Sequence, residues 1–339
     1  MRYRLNVCNG HRSDDMIIGY HASHEQFPPS ELLAFVRQAE EAGFKAVMTS
    51  DHITPWSARQ GNSGNNWAWL GAALAATSLP FGSLAIPGGF RYHPVVLAHL
   101  IATLSEMFPD RLRWIAVGSG EAMNEHVVGG RWPDKPERDQ RLQAGSDIMR
   151  RLLRGETVSR ALPWFSVEDA RLWSLPGRPP AVFGAALSAG TAAWMGGWTD
   201  GLVTVRKPQK ELAEIITRFR AEGGSGKPLA LQLQLSWGTT RDDARAAAWD
   251  QWRTAAVPAD HLANLKSPAA FDNVTREVLP DDMGQFVPLV TEGEDVLHLI
   301  AECRSCGITE IYIHNVSRDQ QGFIRFMARE VLPAVNAMS

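Results

Sequence analysis

Four groups of polar residues follow directly after apolar runs of this chain, and they include the residue types that bind ligands and move protons. In chain order they are His21 with Glu25, Ser50–Trp56, Gly118–Glu125 and His314–Asn315. His52 is the most informative of these residues, because an imidazole is the natural general base near neutral pH. Asp51 beside it can accept a hydrogen bond from a cofactor. Position alone leaves a second interpretation of His52, as a polar residue that closes a strand.

The other candidates near these runs each have a chemical and a structural interpretation. Trp56 either covers a planar cofactor or packs in the core, as one of 12 tryptophans. The turn Gly118-Ser119-Gly120 exposes backbone N–H groups that suit an anion, although turns favour glycine in any case. Glu121 is a proton donor if a dry environment raises its pKa, and otherwise a surface carboxylate. Arg206 and Lys207 either bind phosphate or form a solvated pair.

These residues must be positioned by short β-rich runs that alternate with helix-length amphipathic stretches. The predicted strands are Ile17–His21, Ala46–Thr49, Gly82–Ile86, Leu112–Val117, Ala181–Ala185, Leu202–Val205, Leu229–Leu235 and Glu310–His314. Repeated βα units with continuous apolar strands predict a parallel sheet, and eight such units favour its closure. The sequence therefore predicts an α/β fold, a (β/α)8 TIM barrel, in which the C-terminal ends of the strands carry the catalytic groups.

Two stretches interrupt the alternation. Residues 156–177 are predicted to form a hairpin, and residues 255–290 are irregular and too long for a simple loop. We expect both to be insertions over the C-terminal mouth of a single barrel domain, residues 16–339. Residues 1–15 are predicted to be a polar N-terminal arm, and either Met1 or Met16 is the natural start.

Composition and charge exclude several classes of partner. The formal net charge of −3 and the pI near 6.4 give no long-range attraction for nucleic acid or anionic membranes. No apolar run approaches the ~20 residues that span a bilayer, and the N-terminus lacks the apolar core of a signal peptide. The odd number of cysteines, three, argues against a disulfide framework and predicts a cytoplasmic protein.

Neither cysteine chemistry nor a metal is predicted to carry the function. Cys303 and Cys306 form a CxxC sequence without a second pair, and we interpret them as packing residues. The chain has neither an HxH sequence at a strand end nor an HExxH sequence. We therefore predict that no metal is bound.

Several of these segments, in this order, resemble the deazaflavin-dependent glucose-6-phosphate dehydrogenases of the luciferase-like monooxygenase superfamily. They are Ser50–Trp56, Phe90–Pro94 and Val117–Glu125, and the similarity is dense from Gly19 to about Gly155. The resemblance implies a (β/α)8 barrel with insertions, a homodimer, and an oxidoreductase with a flavin-type cofactor.

Matched motif by motif, the resemblance also implies roles for individual residues. His52 would take the hydroxyl proton of the substrate as hydride leaves carbon, Glu121 would supply or stabilise a proton at the reduced ring, and Trp56 would brace the substrate. Implied cofactor-binding positions are Asp51, Ser83, Ala85, Ile86, Gly118, Ser119, Gly120, Asn124, Ala186 and Leu187. Glu25, Arg206 and Lys207 match the substrate pocket. A non-proline cis peptide is implied within Ser83–Ile86.

The departures from the family pattern bear on substrate and cofactor. Two late basic residues of the family's sugar-phosphate clamp fall at or near Leu262 and Val287, which cannot bind phosphate. Ala185–Ser188 stands where the family has paired glycines near the cofactor phosphate. The opening segment Gly19–Gln26 resembles a sub-branch that uses an ordinary flavin, so the sequence favours FMN over coenzyme F420.

The leading hypothesis is a flavin- or deazaflavin-dependent oxidoreductase that transfers hydride between an alcohol or sugar-like small molecule and its cofactor. One alternative is a reduced-flavin-dependent monooxygenase, which would need reduced flavin, for example from a flavin reductase partner. Another is a flavin-binding protein without catalysis. A metal-dependent barrel hydrolase would require bound metal.

Overall fold

In the computed structural model, which describes residues 16–338, eight parallel strands close into a barrel. Around the barrel the strands are β1 (Ile17–Ala22), β2 (Ala46–Thr49), β3 (Phe81–Ala85), β4 (Leu112–Val117), β7 (Ala181–Ala185), β8 (Gly201–Val205), β9 (Leu229–Trp237) and β11 (Glu310–Asn315). β11 pairs with both β1 and β9, and β8 pairs with β9, so each barrel strand has two neighbours. The predicted (β/α)8 TIM barrel is confirmed, and the predicted strand bounds are displaced by no more than two residues.

Large side chains fill the lower lumen of the barrel. The Trp114 and Phe183 rings stack with centroids 5.4 Å apart, and Tyr312 meets Trp114 edge-on at 5.6 Å. Met48 completes this buried layer. Because the lower lumen is filled, a ligand can enter only above this layer, at the C-terminal ends of the strands.

Helices form the outer layer of the barrel and part of its cover. They are α1 (Pro29–Ala42), α2 (Asn66–Ala76), α3 (Pro94–Met107), α4 (Ala122–Glu125), α5 (Lys135–Leu153), α6 (Ala189–Gly196), α7 (Gln209–Phe219), α8 (Arg241–Trp252), α9 (Ala259–Leu262), α10 (Pro268–Val274), α11 (Gly293–Ser305), α12 (Gln320–Phe326) and α13 (Leu332–Met338). Tighter or wider helical turns occupy His126–Val128, Arg220–Gly224, Arg253–Ala256, Pro280–Gln285 and Met327–Val331. None of the helices described in residues 16–338 is long and apolar enough to cross a membrane.

The first interruption is the predicted hairpin. Strands β5 (Val158–Ala161) and β6 (Ser166–Ala170) pair antiparallel. The tip of this hairpin reaches the loop after β3, where the ring of Phe165 lies 5.4 Å from that of His93. The hairpin therefore touches the rim of the barrel mouth.

The second interruption lies over the mouth and ends in the short strand β10 (Leu289–Val290), which pairs with β9. It contains α9 and α10, which the sequence analysis treated as irregular. The carbonyl of Ala263 accepts from the amide of Ala122 at 2.9 Å, and Asp272 accepts from the Ser57 hydroxyl at 2.6 Å. The insertion is thus anchored to the loops after β2 and β4.

One sequence-based expectation falls outside the described residues, and another is not met. Residues 1–15, the predicted arm, lie outside the described residues. Every peptide bond described is trans, so the non-proline cis peptide implied for Ser83–Ile86 is not found there.

Candidate active site

The ends of β1, β2 and β4 bring two carboxylates to one imidazole. His52 Nε2 lies 3.4 Å from Glu25 Oε1 and 3.8 Å from Glu121 Oε2. The side chains of His52 and Glu25 are 8% and 3% exposed, whereas that of Glu121 is 30% exposed. The group therefore opens towards the mouth on the Glu121 side.

Asn124, on α4, connects the other side of the imidazole to the same carboxylate. Its amide nitrogen lies 3.1 Å from His52 Nδ1 and 3.2 Å from Glu121 Oε2. Its amide oxygen accepts from the backbone N–H of Ile53 at 3.0 Å. The family resemblance implies a cofactor-binding role for Asn124, whereas its side chain is bonded to the candidate catalytic residues.

Glu25 is held by two hydroxyls. Ser23 and Ser50 donate to its Oε2 at 2.8 Å and 2.9 Å, which leaves Oε1 towards His52. Burial alone would raise the pKa of Glu25, but the attraction of His52, the hydrogen bonds it accepts and the nearby His21 outweigh burial and lower that pKa. Glu25 is therefore ionised near neutral pH.

Arg91 holds two further buried carboxylates. Its guanidinium lies 3.0 Å from Asp51 Oδ2 and 3.6 Å from Glu125 Oε1, and its backbone N–H donates to Glu125 Oε2 at 3.0 Å. Burial raises the pKa of Asp51 and raises that of Glu125 to about 7, although Arg91 opposes both shifts. Burial also raises the pKa of Glu121, against the attraction of His52.

Uncharged histidines line the side of the site formed by β1 and β11. His21 and His314 lie with ring centroids 4.6 Å apart, and Gln26 Oε1 is 2.8 Å from His314 Nε2. Burial lowers the pKa of His314 to about 3 and that of His24 to about 4, and it lowers that of His21 as well. His21 and His314 therefore present polar but neutral groups to the lumen, whereas the His24 ring packs edge-on against Trp69 of α2.

An aromatic pair covers the catalytic group. Trp56 is half-buried, with its ring centroid 5.0 Å from that of His52 and 5.2 Å from that of Phe271 in the insertion. Leu262 packs in the same cluster. Val287 is buried in the neighbouring cluster against Trp252 and Met283. The two positions at which the sequence analysis noted missing cations are thus occupied by apolar packing.

Residues 15–310 match the model of the luciferase-like monooxygenase family. The chain belongs to this family. Its sequence is 31% identical over 324 residues to the F420-dependent glucose-6-phosphate dehydrogenase of Microbacterium testaceum, covering 93% of this chain and 96% of that protein. It is 32% identical to the enzyme of the same name from Beutenbergia cavernae, with 94% and 97% covered.

Solved structures agree with the family assignment. An F420-dependent secondary alcohol dehydrogenase in complex with an F420-acetone adduct has a TM-score of 0.87 at 29% identity, covering 95% of this chain and 99% of its own. A long-chain alkane monooxygenase, with a TM-score of 0.67 at 12% identity over 95% of this chain and 91% of its own, shares the fold alone. The predicted superfamily and the prediction of an oxidoreductase are confirmed. The preference for FMN finds no support among these relatives, and only the broader prediction of a flavin-type cofactor fits them.

The site has features that fit the flat ring of such a cofactor. A Cβ on Gly118 would lie 3.4 Å from Ile86 Cδ1 and 3.8 Å from Ala185 Cβ, so these three residues form one continuous apolar wall. Gly120, with a left-handed φ of 81°, continues the wall to Glu121. Asp51 Oδ1 is buried and accepts no hydrogen bond of normal geometry in the described chain, although the Trp67 indole lies close enough to oppose the rise in the pKa of this carboxyl that burial causes. An apolar wall with a buried acceptor nearby suits a ring that is apolar on its faces and carries N–H groups at its edge.

Other residues implied for the cofactor are placed differently. Ser83 is fully buried, and its hydroxyl accepts from Asn66 at 2.7 Å and from Thr49 at 3.1 Å. The Ser83 side chain is therefore engaged within the fold. Ala85 and Ala186 are buried, Leu187 is 40% exposed, and Ser119 is partly exposed beside the wall.

The structure does not bring the two basic candidates to His52. Arg206 lies 3.5 Å from Glu302 on α11, and Lys207 lies 2.7 Å from Glu211 on α7. Each cation is thus paired with an acid of the outer helical layer. Their assignment to the substrate pocket stays a prediction.

Sequence reasoning assigned no role to Arg91 or Glu125. Both belong to the segments that carry the family resemblance, and Glu125 also ends the polar group that follows the fourth predicted strand. Their importance comes from burial: the Arg91 side chain is 8% exposed, and that of Glu125 is fully covered. Two charges buried against each other are a tertiary feature that residue types alone do not show.

Proposed function

We propose that this protein is an F420-dependent dehydrogenase that oxidises small neutral secondary alcohols, and reduces the matching ketones, by hydride transfer. The observation that carries the proposal is the position of His52 Nε2 within 4 Å of both Glu25 and Glu121, at the rim of an apolar wall. The names of the relatives support F420 as the cofactor. FMN is the alternative that the sequence favoured.

Each residue of the group has a task in such a reaction. Bound F420 would supply a flat ring that accepts hydride from the substrate carbon. His52 and Glu25 hydrogen-bond the substrate oxygen, and they take up its hydroxyl proton in oxidation and return it in reduction. Glu121 has a raised pKa, which favours its protonated form. Trp56 and Phe271 cover the group and exclude water, which strengthens its electrostatic interactions.

The lining of the site favours a neutral substrate. Leu262 and Val287 provide no charge for a phosphate group, and Arg206 and Lys207 are already paired with acids. The ionised Glu25 beside His52 would also repel an anion. We therefore propose a secondary alcohol in preference to a sugar 6-phosphate.

The proposal is tested with the purified full-length chain. F420 and FMN are titrated separately by fluorescence, and reduction of F420 is then followed with 2-propanol, 2-butanol, glucose and glucose 6-phosphate. We expect F420 to bind more tightly than FMN, and the secondary alcohols to reduce it. Faster turnover of glucose 6-phosphate would contradict the substrate class. Oxygen consumption with reduced FMN, without alcohol oxidation, would instead identify a monooxygenase.

His52→Gln tests the chemistry. It should lower kcat by about 10²–10⁴-fold, the usual contribution of a positioned acid–base group, while the affinity for F420 stays nearly unchanged. His298→Gln, at a position of α11 whose side chain is 75% exposed, is the matched control. Equal loss of F420 binding in His52→Gln would show that His52 is structural.

A further inference from the structure

The orientation of the Asn124 side chain is fixed by three contacts. The Ile53 backbone N–H donates to its amide oxygen at 3.0 Å, so its NH₂ group lies on the opposite side. That nitrogen is 3.1 Å from His52 Nδ1 and 3.2 Å from Glu121 Oε2. A reversed amide would set its NH₂ group against the Ile53 N–H and its oxygen against the Glu121 carboxylate. The observed orientation is therefore the one that satisfies every partner.

This orientation determines which ring nitrogen of His52 carries the proton. An amide NH₂ group only donates, so His52 Nδ1 must accept and must carry a lone pair. The ring proton then resides on Nε2, which faces the acceptor oxygens of Glu25 at 3.4 Å and Glu121 at 3.8 Å. A second proton on Nδ1 would point at the Asn124 N–H and break that hydrogen bond. Both sides of the ring thus favour the same neutral tautomer.

We propose that Asn124 is a positioning residue that holds His52 as the neutral Nε2–H tautomer, so that the imidazole donates a hydrogen bond to the substrate oxygen and Glu25 accepts the substrate proton. The inference rests on the proposed dehydrogenase function and assigns the proton differently from the sequence-based expectation, in which His52 was the base. A neutral imidazole N–H is a strong donor to a developing alkoxide or to a carbonyl oxygen.

The proton has one well-prepared acceptor. As the substrate C–H bond breaks and its electron pair leaves as hydride towards the bound cofactor, the C=O bond forms and the O–H proton must leave. His52 Nε2 already carries a proton and has no lone pair for another, and protonation of Nδ1 would break its bond to Asn124. Glu25 has Oε2 bonded to Ser23 and Ser50 and Oε1 directed at His52. Oε1 accepts from neither serine hydroxyl and faces the same side as His52 Nε2, so it is the carboxylate oxygen placed to receive the substrate proton. Ketone reduction runs the same transfers in reverse.

The tautomer can be measured without any turnover. In full-length protein labelled with ¹⁵N-histidine, long-range ¹H–¹⁵N spectra distinguish a protonated ring nitrogen from one with a lone pair. The signals that disappear in His52→Gln identify His52. We expect a protonated Nε2 and an unprotonated Nδ1, with and without F420. A proton on Nδ1 of the wild-type protein would overturn the proposal.

Asn124→Asp reverses the polarity of this contact at constant size. The new carboxylate can only accept, so His52 Nδ1 should become protonated. The matched control is Asn315→Asp, because the Asn315 side-chain oxygen accepts from the backbone N–H groups of Trp237 and Ser317 and an aspartate keeps both bonds. The control should leave the His52 signals unchanged. An unchanged His52 tautomer in soluble, folded Asn124→Asp would contradict the proposal.

The Asn124→Asp substitution should change kcat more than KM. A wrong histidine tautomer costs up to about 10⁴-fold in kcat in the serine protease triad, and we expect a loss of about 100-fold or more for 2-propanol oxidation by Asn124→Asp, with a smaller change in KM. A shifted tautomer with unchanged kcat would overturn the catalytic half of the proposal. If the wild-type protein oxidises no alcohol, the proposed function fails, and the spectra still decide the tautomer.

Discussion

His24 is buried beside the catalytic group, and neither ring nitrogen makes a hydrogen bond of normal geometry in the described chain, although the Asn66 side chain lies close enough to oppose the lowering of its pKa. Its ring meets Trp69 edge-on, with centroids 4.8 Å apart. Burial lowers its pKa from 6.5 to about 4, so the residue stays neutral in the folded protein at pH values where the unfolded chain binds a proton. Because the unfolded state gains this proton first, His24 makes the fold less stable as the pH falls below 6.5.

His24→Phe should remove this pH dependence. Between pH 7.5 and 5.5 the wild-type protein should lose about 1 kcal/mol of unfolding free energy that the variant keeps, because each pKa unit corresponds to about 1.4 kcal/mol. The wild-type protein has its full stability above pH 6.5. The loss grows as the pH falls and is complete near pH 4, where His24 of the folded protein also becomes protonated. Urea unfolding of both proteins at several pH values measures it, and any constant packing difference cancels.

The matched control for this experiment is His298→Phe, at an exposed position on α11. A difference between wild-type protein and His24→Phe that does not change with pH would contradict the prediction. It would mean that His24 is reached by water or gains a partner in solution.

At this scale the sequence predicts which residue types stand at strand ends but not what each side chain touches. His52, Glu121 and Trp56 were found because a (β/α)8 barrel places such positions at its mouth. The side chain of Ser83 points into the helical layer, although its position in the chain resembles that of a ligand-binding residue. Arg91 and Glu125 acquire their roles by mutual burial, which no local pattern encodes.

Among the elements, α5 supports the apolar wall from behind. Gly145, on the buried face of this helix, lies so close to the loop after β3 that an added Cβ would overlap the Pro87 carbonyl oxygen. Pro87 directly follows Ile86, a residue of the wall. The absence of one side chain in α5 therefore sets how deeply the wall residue Ile86 is seated.

Gly145→Ala should destabilise the protein, although alanine is normally the better helix former. Overpacking of this kind costs about 1–3 kcal/mol, and movement of Pro87 should also weaken cofactor binding. Gly71→Ala in α2 is the matched control, because its Cβ would make an ordinary contact of 3.5 Å with Leu104. We expect the control to stabilise by up to about 1 kcal/mol. Urea unfolding and F420 titration measure both effects, and a Gly145→Ala protein as stable as the control would refute the close approach.

The sequence is most informative at the scale of elements. Strands β2, β4 and β7 have the predicted bounds, because continuous apolar runs between turn residues define buried parallel strands. The short helices α9 and α10 were missed. With four and seven residues they are too short to show a helical period, and contacts over the barrel mouth stabilise them.

For the whole molecule, α2 and α3 form a part of the described surface that carries little charge. The solvent face of α2 consists of alanines: Ala68, Ala72, Ala75 and Ala76. On α3, Val96 and Met107 are 52% and 58% exposed. α2 has no charged residue and α3 has one, Glu106. Faces of this kind on adjacent surface helices are typical of a buried interface.

We propose that this α2–α3 face pairs with the same face of a second copy, which would give the homodimer that the family resemblance implies. A two-fold interface uses the same patch on both subunits, so one substitution acts twice. Ala72→Glu would bury two like charges near the axis. At about 3–5 kcal/mol for an uncompensated buried charge, the dissociation constant should rise about a hundredfold or more.

Light scattering after size exclusion should then report a monomer for Ala72→Glu and a dimer for the wild-type protein. Trp173→Glu, at a residue 86% exposed on another face, should stay dimeric. A wild-type monomer, or an Ala72→Glu dimer of unchanged affinity, would show that these helices face solvent.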